Sequence, residues 1–177
     1  NTDEMLVRPA SLDEFAAPRP ALAAMFAALR EMAAFTRDAL GPDRLAWLRG
    51  HPPLLLQDTL ALIHATPESL WHAPEPETAD AALAAPYAPL SRPLVVYGHI
   101  HRPFVRPLPG FTLANSGSAG LPYDGDPRAA YLLIDDGRPA IRRVEYDIAR
   151  ETARLCDCGL PHHPWTARMI AAARPLL

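Results

Sequence analysis

Ten residues constrain this chain more than any others: Leu94-Val95-Val96-Tyr97-Gly98-His99-Ile100-His101-Arg102-Pro103. A short apolar run closed off by Pro93 and Gly98 predicts a buried strand over residues 94–97, of the kind found inside parallel sheets. Gly98 is expected to supply backbone angles closed to other residues, so that the chain turns sharply as the strand ends. In open α/β sheets the functional crevice lies beyond the carboxyl ends of the strands. Two imidazoles delivered there, one residue apart, are candidates for holding a metal ion. Taken alone, a His-x-His pair is a weak signal, more often a pair of histidines that bind no metal.

A third histidine is placed by the same logic. Residues 53–57 and 59–63 read as two strands turning at Asp58, the second ending in His64-Ala65-Thr66-Pro67. His64 lies 35 residues before His99, with helical sequence between. That is about one crossover connection, which brings two parallel strand ends side by side. After His101, residues 104–108 and 111–114 predict a hairpin turning at Pro109-Gly110. The small residues of Asn115-Ser116-Gly117-Ser118 then permit a tight turn. A further hairpin is expected over residues 128–135 and 140–146, turned by Asp136-Gly137.

Gly-His-x-His, then Asn115-Ser116-Gly117-Ser118, then Asp124-Gly125-Asp126-Pro127 resembles the C-terminal signature of the calcineurin-like metallophosphoesterases, in particular their small prokaryotic phosphodiesterase branch. The resemblance runs from residue 1 to about Ile148 and is specific from His99 to Asp126. It implies an α/β fold of the two-sheet αββα sandwich type and a single domain over residues 1–177, with 149–177 as its helical tail. It also implies a hydrolase that cleaves a phosphate ester with water activated by two divalent metal ions, Mn²⁺ foremost and Fe, Zn, Ni or Mg as alternatives. On the family pattern Asn1, His64 and His99 serve one metal and His101 the other. Gly98, Asn115, Gly117 and Ser118 form the supporting turn, and Arg102 and Arg106 are candidates for meeting substrate phosphate, or else solvated surface arginines. Asn1-Thr2-Asp3-Glu4 is similar to the tail of the family's Gly-Asn-His-Asp/Glu motif, with Thr2 where many relatives carry the histidine that protonates the leaving group. Ala65 stands in place of the family's glycine after the strand-end histidine.

The family's Asp-x-His is absent, and the one Gly-Asp, Gly125-Asp126, falls after the histidine pair. The expectation is therefore a C-terminal portion without the first βαβ units and the bridging aspartate, inactive and poorly folded by itself. The alternative from a different class is a scaffold that keeps the fold for protein–protein interaction, as the retromer subunit of the superfamily does.

Elsewhere the chain reads as scaffold. Residues 11–40 predict a loop and then a long helix carrying Ala21, Met25, Leu29, Met32 and Phe35 on one stripe, with Pro20 before it and Gly41 after it. A second short helix follows to Leu48. Residues 68–92 predict a Pro-rich loop with one helix at 78–85, and the tail predicts helices at 148–155 and 164–173. His51 and His72 lack partners at ligand spacing. Cys156-Asp157-Cys158 with His162-His163 does not match the spacing of structural zinc modules, so both thiols are expected to be unbridged and metal-free.

All seventeen basic residues are arginine, which excludes lysine nucleophiles and Schiff-base chemistry. A net charge of -3 offers no footprint for nucleic acid. No apolar run reaches membrane-spanning length, and no leader is evident, so the expected location is the cytoplasm. The expected partner is a small phosphate-ester substrate. Homo-oligomerisation stays open.

Overall fold

The computed structural model describes residues 1–176, which divide into two compact units. The unit that carries the histidines comprises Pro53–Tyr146 with Met169–Pro175. Its centre is a five-stranded mixed sheet of order β1-β2-β3-β5-β4, built from β1 (Leu54–Leu56), β2 (Leu60–Ile63), β3 (Leu94–Tyr97), β4 (Phe104–Leu108) and β5 (Phe111–Asn115). β2, β3 and β5 run parallel, while β1 and β4 are antiparallel edge strands. All four residues of β3 are buried, as an unbroken Leu-Val-Val-Tyr run requires of a central strand.

Alternate residues serve the two faces of this sheet. On one face Ala61, Ile63, Val95, Tyr97 and Leu113 pack with Leu83 and Tyr87, which come from α4 (Asp80–Ala84) and the turn after it. On the other, Leu94, Val96 and Ala114 meet Leu60 and Leu132. Leu132 belongs to a separate two-stranded hairpin, β6 (Ala129–Asp135) and β7 (Arg138–Val144). The chain is thus α/β, with a mixed sheet and a second small sheet against it.

The other unit is helical and comprises Asn1–Pro52 with Asp147–Arg168. Asn1 directly precedes α1 (Thr2–Val7), and its side chain makes no capping hydrogen bond to that helix. Two short helices, α1 and α2 (Ala10–Ala16), occupy ground read from sequence as terminus and loop. Each is too short to show a periodic stripe; tertiary packing forms them, with Leu12 and Phe26 buried and Phe15 edge-on to Phe26 at 6.0 Å. α3 runs Ala23–Arg49 but breaks at Gly41, whose φ of 73° is not helical, immediately before Pro42. The two expected helices are therefore present, joined at a kink. α5 (Ile148–Asp157) is capped by the Asp147 carboxylate, which accepts from the Arg150 N–H at 2.9 Å, and α6 spans His163–Ala172. Cys156 and Cys158 are free and exposed. No helix among the described residues is long and apolar enough to cross a membrane.

Candidate metal centre

Strand register assembles the site. Ile63 of β2 is level with Tyr97 of β3, so the chains leave the sheet together as His64 and Gly98. The Gly98 N–H donates to the His64 carbonyl at 3.0 Å, extending the ladder by one rung. Tyr97 is likewise level with Asn115 at the end of β5. Asn115 is fully buried; its amide donates to the Gly98 carbonyl, and its side-chain oxygen accepts from the Gly117 N–H at 2.9 Å. Three parallel strands thus end in three loops cross-tied by hydrogen bonds.

The sharp turn is made differently from the sequence expectation. Gly98 is not among the glycines with positive φ, and a Cβ there would meet only the His64 carbonyl oxygen at 3.7 Å. The left-handed residues are His99 and His101, at φ 48° and 55°. For residues with a Cβ this conformation carries strain of about 1–3 kcal/mol each, held by the surroundings. Ile100 between them is buried, so the backbone anchors its apolar side chain in the core and leaves the flanking imidazoles beyond the sheet edge. Glycine is required instead at position 117. Its φ is 72°, and a Cβ would come within 2.8 Å of Ala130 Cβ and 2.9 Å of Pro103 Cβ. Ser118 completes the supporting turn, its hydroxyl accepting from the Leu121 N–H at 3.0 Å.

His64 and His99 are brought together. His99 Nδ1 lies 3.3 Å from His64 Nε2, with the rings steeply inclined at 76°. Two imidazole nitrogens on one divalent ion, each about 2.1 Å from it, lie roughly 3.0–3.4 Å apart at ordinary coordination angles. The observed spacing fits a shared ion. Burial lowers the His64 pKa to about 3, with further lowering from the positive forms of His99 and His101. Burial also lowers His99, to about 4, against a hydrogen bond to the Trp71 backbone that raises it. Both rings are neutral at pH 7, the form in which imidazole binds metal.

His101 is set apart by its partners. Its Nδ1 donates to the Leu121 carbonyl at 2.8 Å, and its ring stacks on Tyr123 at 4.9 Å between centroids. Burial lowers its pKa too, opposed by the bond to Leu121. Among the described residues no three His, Cys, Asp or Glu side chains form a group able to hold a metal ion by themselves. His64 and His99 could therefore supply part of a donor set. Asn1 belongs to the helical unit, where it precedes α1.

Arg102 and Arg106 are both engaged. Arg102 pairs with Glu77 and with Glu75 at 3.2 Å, and Arg106 pairs with Asp80 at 3.5 Å while donating to the Thr78 carbonyl at 3.1 Å. They tie the loop of residues 74–80 to the sheet edge. Two tyrosines also support the site through their hydroxyls. The Tyr87 hydroxyl donates to the Ala65 carbonyl and the Tyr97 hydroxyl to the Pro74 carbonyl, both at 2.8 Å. Each is buried at a loop that leaves the site, and burial raises both phenol pKa values. His72 is held locally by Ser69 at 3.3 Å, and His51 lies against Trp47.

The model for the calcineurin-like phosphoesterase superfamily domain matches residues 49–137, which take in His64, His99, His101 and the turn after β5. The solved structure of a metallophosphoesterase from Sphaerobacter thermophilus is similar at TM-score 0.69 and 26% identity, over 80% of this chain and 67% of that one. A hypothetical protein from Pyrococcus horikoshii OT3 is similar in fold at TM-score 0.79 and 16% identity, over 99% of this chain and 71% of that one. None of the curated proteins matches the chain.

Proposed function

Since the chain belongs to the calcineurin-like phosphoesterase superfamily, we propose that it is a metal-dependent hydrolase of phosphate esters, acting on small phosphodiesters or phosphomonoesters. The observation that supports this reading best is the 3.3 Å approach of His99 Nδ1 to His64 Nε2, two neutral imidazoles at the spacing a divalent ion requires. In this reading His64 and His99 hold one ion and His101 a second, with Mn²⁺ the foremost candidate on the family pattern alone, since imidazole donors also suit Zn, Fe and Ni. A bound pair of such ions supplies activated water and charge stabilisation for in-line displacement at phosphorus. The chain's own residues supply rigidity: Asn115 fixes the loop at Gly98, and Tyr87 fixes the residue after His64. Arg102 and Arg106 would reach a phosphate only by giving up Glu75, Glu77 and Asp80. A cytoplasmic location belongs to this reading.

The scaffold alternative draws on one observation, that no three-residue metal group forms among the described residues. Titration of the full chain with Co²⁺, followed by visible absorption, separates the two. The expected result is saturable binding that His64→Ala and His99→Ala each abolish; in a protein that also carries the family's bridging aspartate, Mn²⁺-dependent hydrolysis of a p-nitrophenyl phosphate ester or diester is expected and is lost in the same variants. Absence of saturable binding in the parent protein would overturn the metal reading and favour the scaffold.

A further inference from the structure

Strand register and the hydrogen bonds of Asn115 place the backbone of the His99 loop, while the orientation of the His101 ring has a separate source. That source is the segment after the Asn115 turn. The His101 carbonyl accepts from the Tyr123 N–H at 3.0 Å, while its Nδ1 lies 2.8 Å from the Leu121 carbonyl oxygen. A carbonyl can only accept, so the proton of the neutral ring sits on Nδ1 and Nε2 keeps a lone pair. The Tyr123 ring lies on the imidazole face at 4.9 Å with an interplanar angle of 26°. One contact fixes the direction of the ring within its plane, and the other fixes the plane itself. Together they remove the torsional freedom of the side chain.

The segment is itself anchored at both ends. Before it, the Ser118 hydroxyl takes the Leu121 N–H, and the Ala130 N–H donates to the Ser118 carbonyl at 2.9 Å. After it, Asp124 pairs with Arg143 of β7, and the Gly125 N–H donates to the Ala173 carbonyl at 2.9 Å. Pro122, between the two residues that touch His101, is fully buried. A segment anchored on both sides, whose Leu121 and Tyr123 both touch one imidazole, is built to orient it.

We propose that residues 121–123 form a strap that positions His101, holding it in the Nδ1–H tautomer with Nε2 presented to a divalent ion, and that Tyr123 is the positioning residue. The inference rests on the metal reading above for what Nε2 meets, but not for the tautomer. Ligand orientation through the second ring nitrogen is how proteins commonly tune metal affinity, with losses of about 10–100-fold when the outer partner is removed.

The test uses the full chain and two readouts. In metal-free protein, long-range ¹H–¹⁵N spectra of the imidazoles, with His101 assigned by its loss in His101→Gln, report the tautomer. Co²⁺ titration reports the ligand. The parent and Tyr123→Phe should show one Nδ1–H tautomer and equal Co²⁺ affinity, because the Tyr123 ring and not its hydroxyl is used. Tyr123→Ala should give averaged ring nitrogens and Co²⁺ binding weaker by about ten-fold or more. In a His101→Ala background, Tyr123→Ala should weaken Co²⁺ no further. Should Tyr123→Ala fail to fold by circular dichroism, Tyr123→Leu fills part of the space without an aromatic face and is expected to behave the same way. An unchanged tautomer in a folded variant lacking the ring overturns the strap, as does an equal further loss in the His101→Ala background. A parent protein that binds no Co²⁺ defeats the metal reading instead, while the tautomer result still decides the positioning role.

Discussion

Strand β3 is buried at every residue, whereas the hairpin of β6 and β7 leaves Tyr131, Leu133, Ile134 and Val144 between 37% and 50% exposed. Both elements hold the same histidine loop, by opposite means. The five-stranded sheet places His64, Gly98 and Asn115 through register and apolar packing on both faces. The hairpin places residues 117–126 through Ala130 against Gly117 and through the ion pairs of Arg143 and Arg128 with Asp124 and Asp126. Stability is therefore concentrated in the sheet. The hairpin contributes precision, and the two are separable by substitution.

The largest effect should come from emptying the sheet. Leu113→Ala, at a fully buried position of β5, should cost about 2–5 kcal/mol in urea unfolding. A loss below ~1 kcal/mol would mean that the sheet is not the stable part.

Acid should act next, again on the loops of the sheet. His64 and His99 have folded pKa values of about 3 and 4 against the ordinary 6.5. Between those values the unfolded chain binds protons that the folded chain does not, so stability is fully present above pH 6.5 and falls as pH drops toward 4. For metal-free protein the loss between pH 6.5 and 5 should be on the order of 2 kcal/mol in all, read as a falling Tm. The double variant His64→Ala with His99→Ala should lose most of that slope; retention of the full slope would assign it to other groups.

On the hairpin side, Gly117→Ala forces a Cβ against Ala130 and Pro103 at positive φ and should cost about 1–2 kcal/mol. It should broaden the Tyr123 and His101 resonances more than those of β3. Smallest of all, Val144→Ala at a half-exposed position of β7 should change stability by less than about 0.5 kcal/mol. A cost near that of Leu113→Ala would show that the hairpin's apolar surface is covered in solution.

Much of this was legible in the sequence because it follows short-range rules. The β3 run, the turn at Pro109-Gly110 and the turn at Asp136-Gly137 sit where strand periodicity and turn chemistry put them, and both glycines have positive φ. The approach of His64 to His99 follows from one crossover length and a parallel register. What the sequence concealed depends on contacts between distant residues. Nothing around Leu121 or Tyr123 announces a partner twenty residues earlier. Arg102 and Arg106 carry no mark of the acidic residues 75–80 that take them up. The helix at residues 10–16 is held where Phe15 meets Phe26 of the next long helix. Assigning the turn to Gly98 followed the residue that tolerates left-handed angles most easily, whereas the structure spends that conformation on the two histidines.

That last feature bears on how such a chain would drift. At φ 48° and 55° the residues cheapest to the fold are glycine, asparagine and aspartate, each reachable without disturbing β3 or Ile100. A lineage freed from any demand on its imidazoles would gain folding free energy by replacing either one, and mutation would be expected to find those replacements early. Histidine at both positions is the costlier state for a bare scaffold. His99→Gly should raise the stability of metal-free protein by up to about 2 kcal/mol while removing a ligand, the signature of a site maintained against the preference of its own backbone.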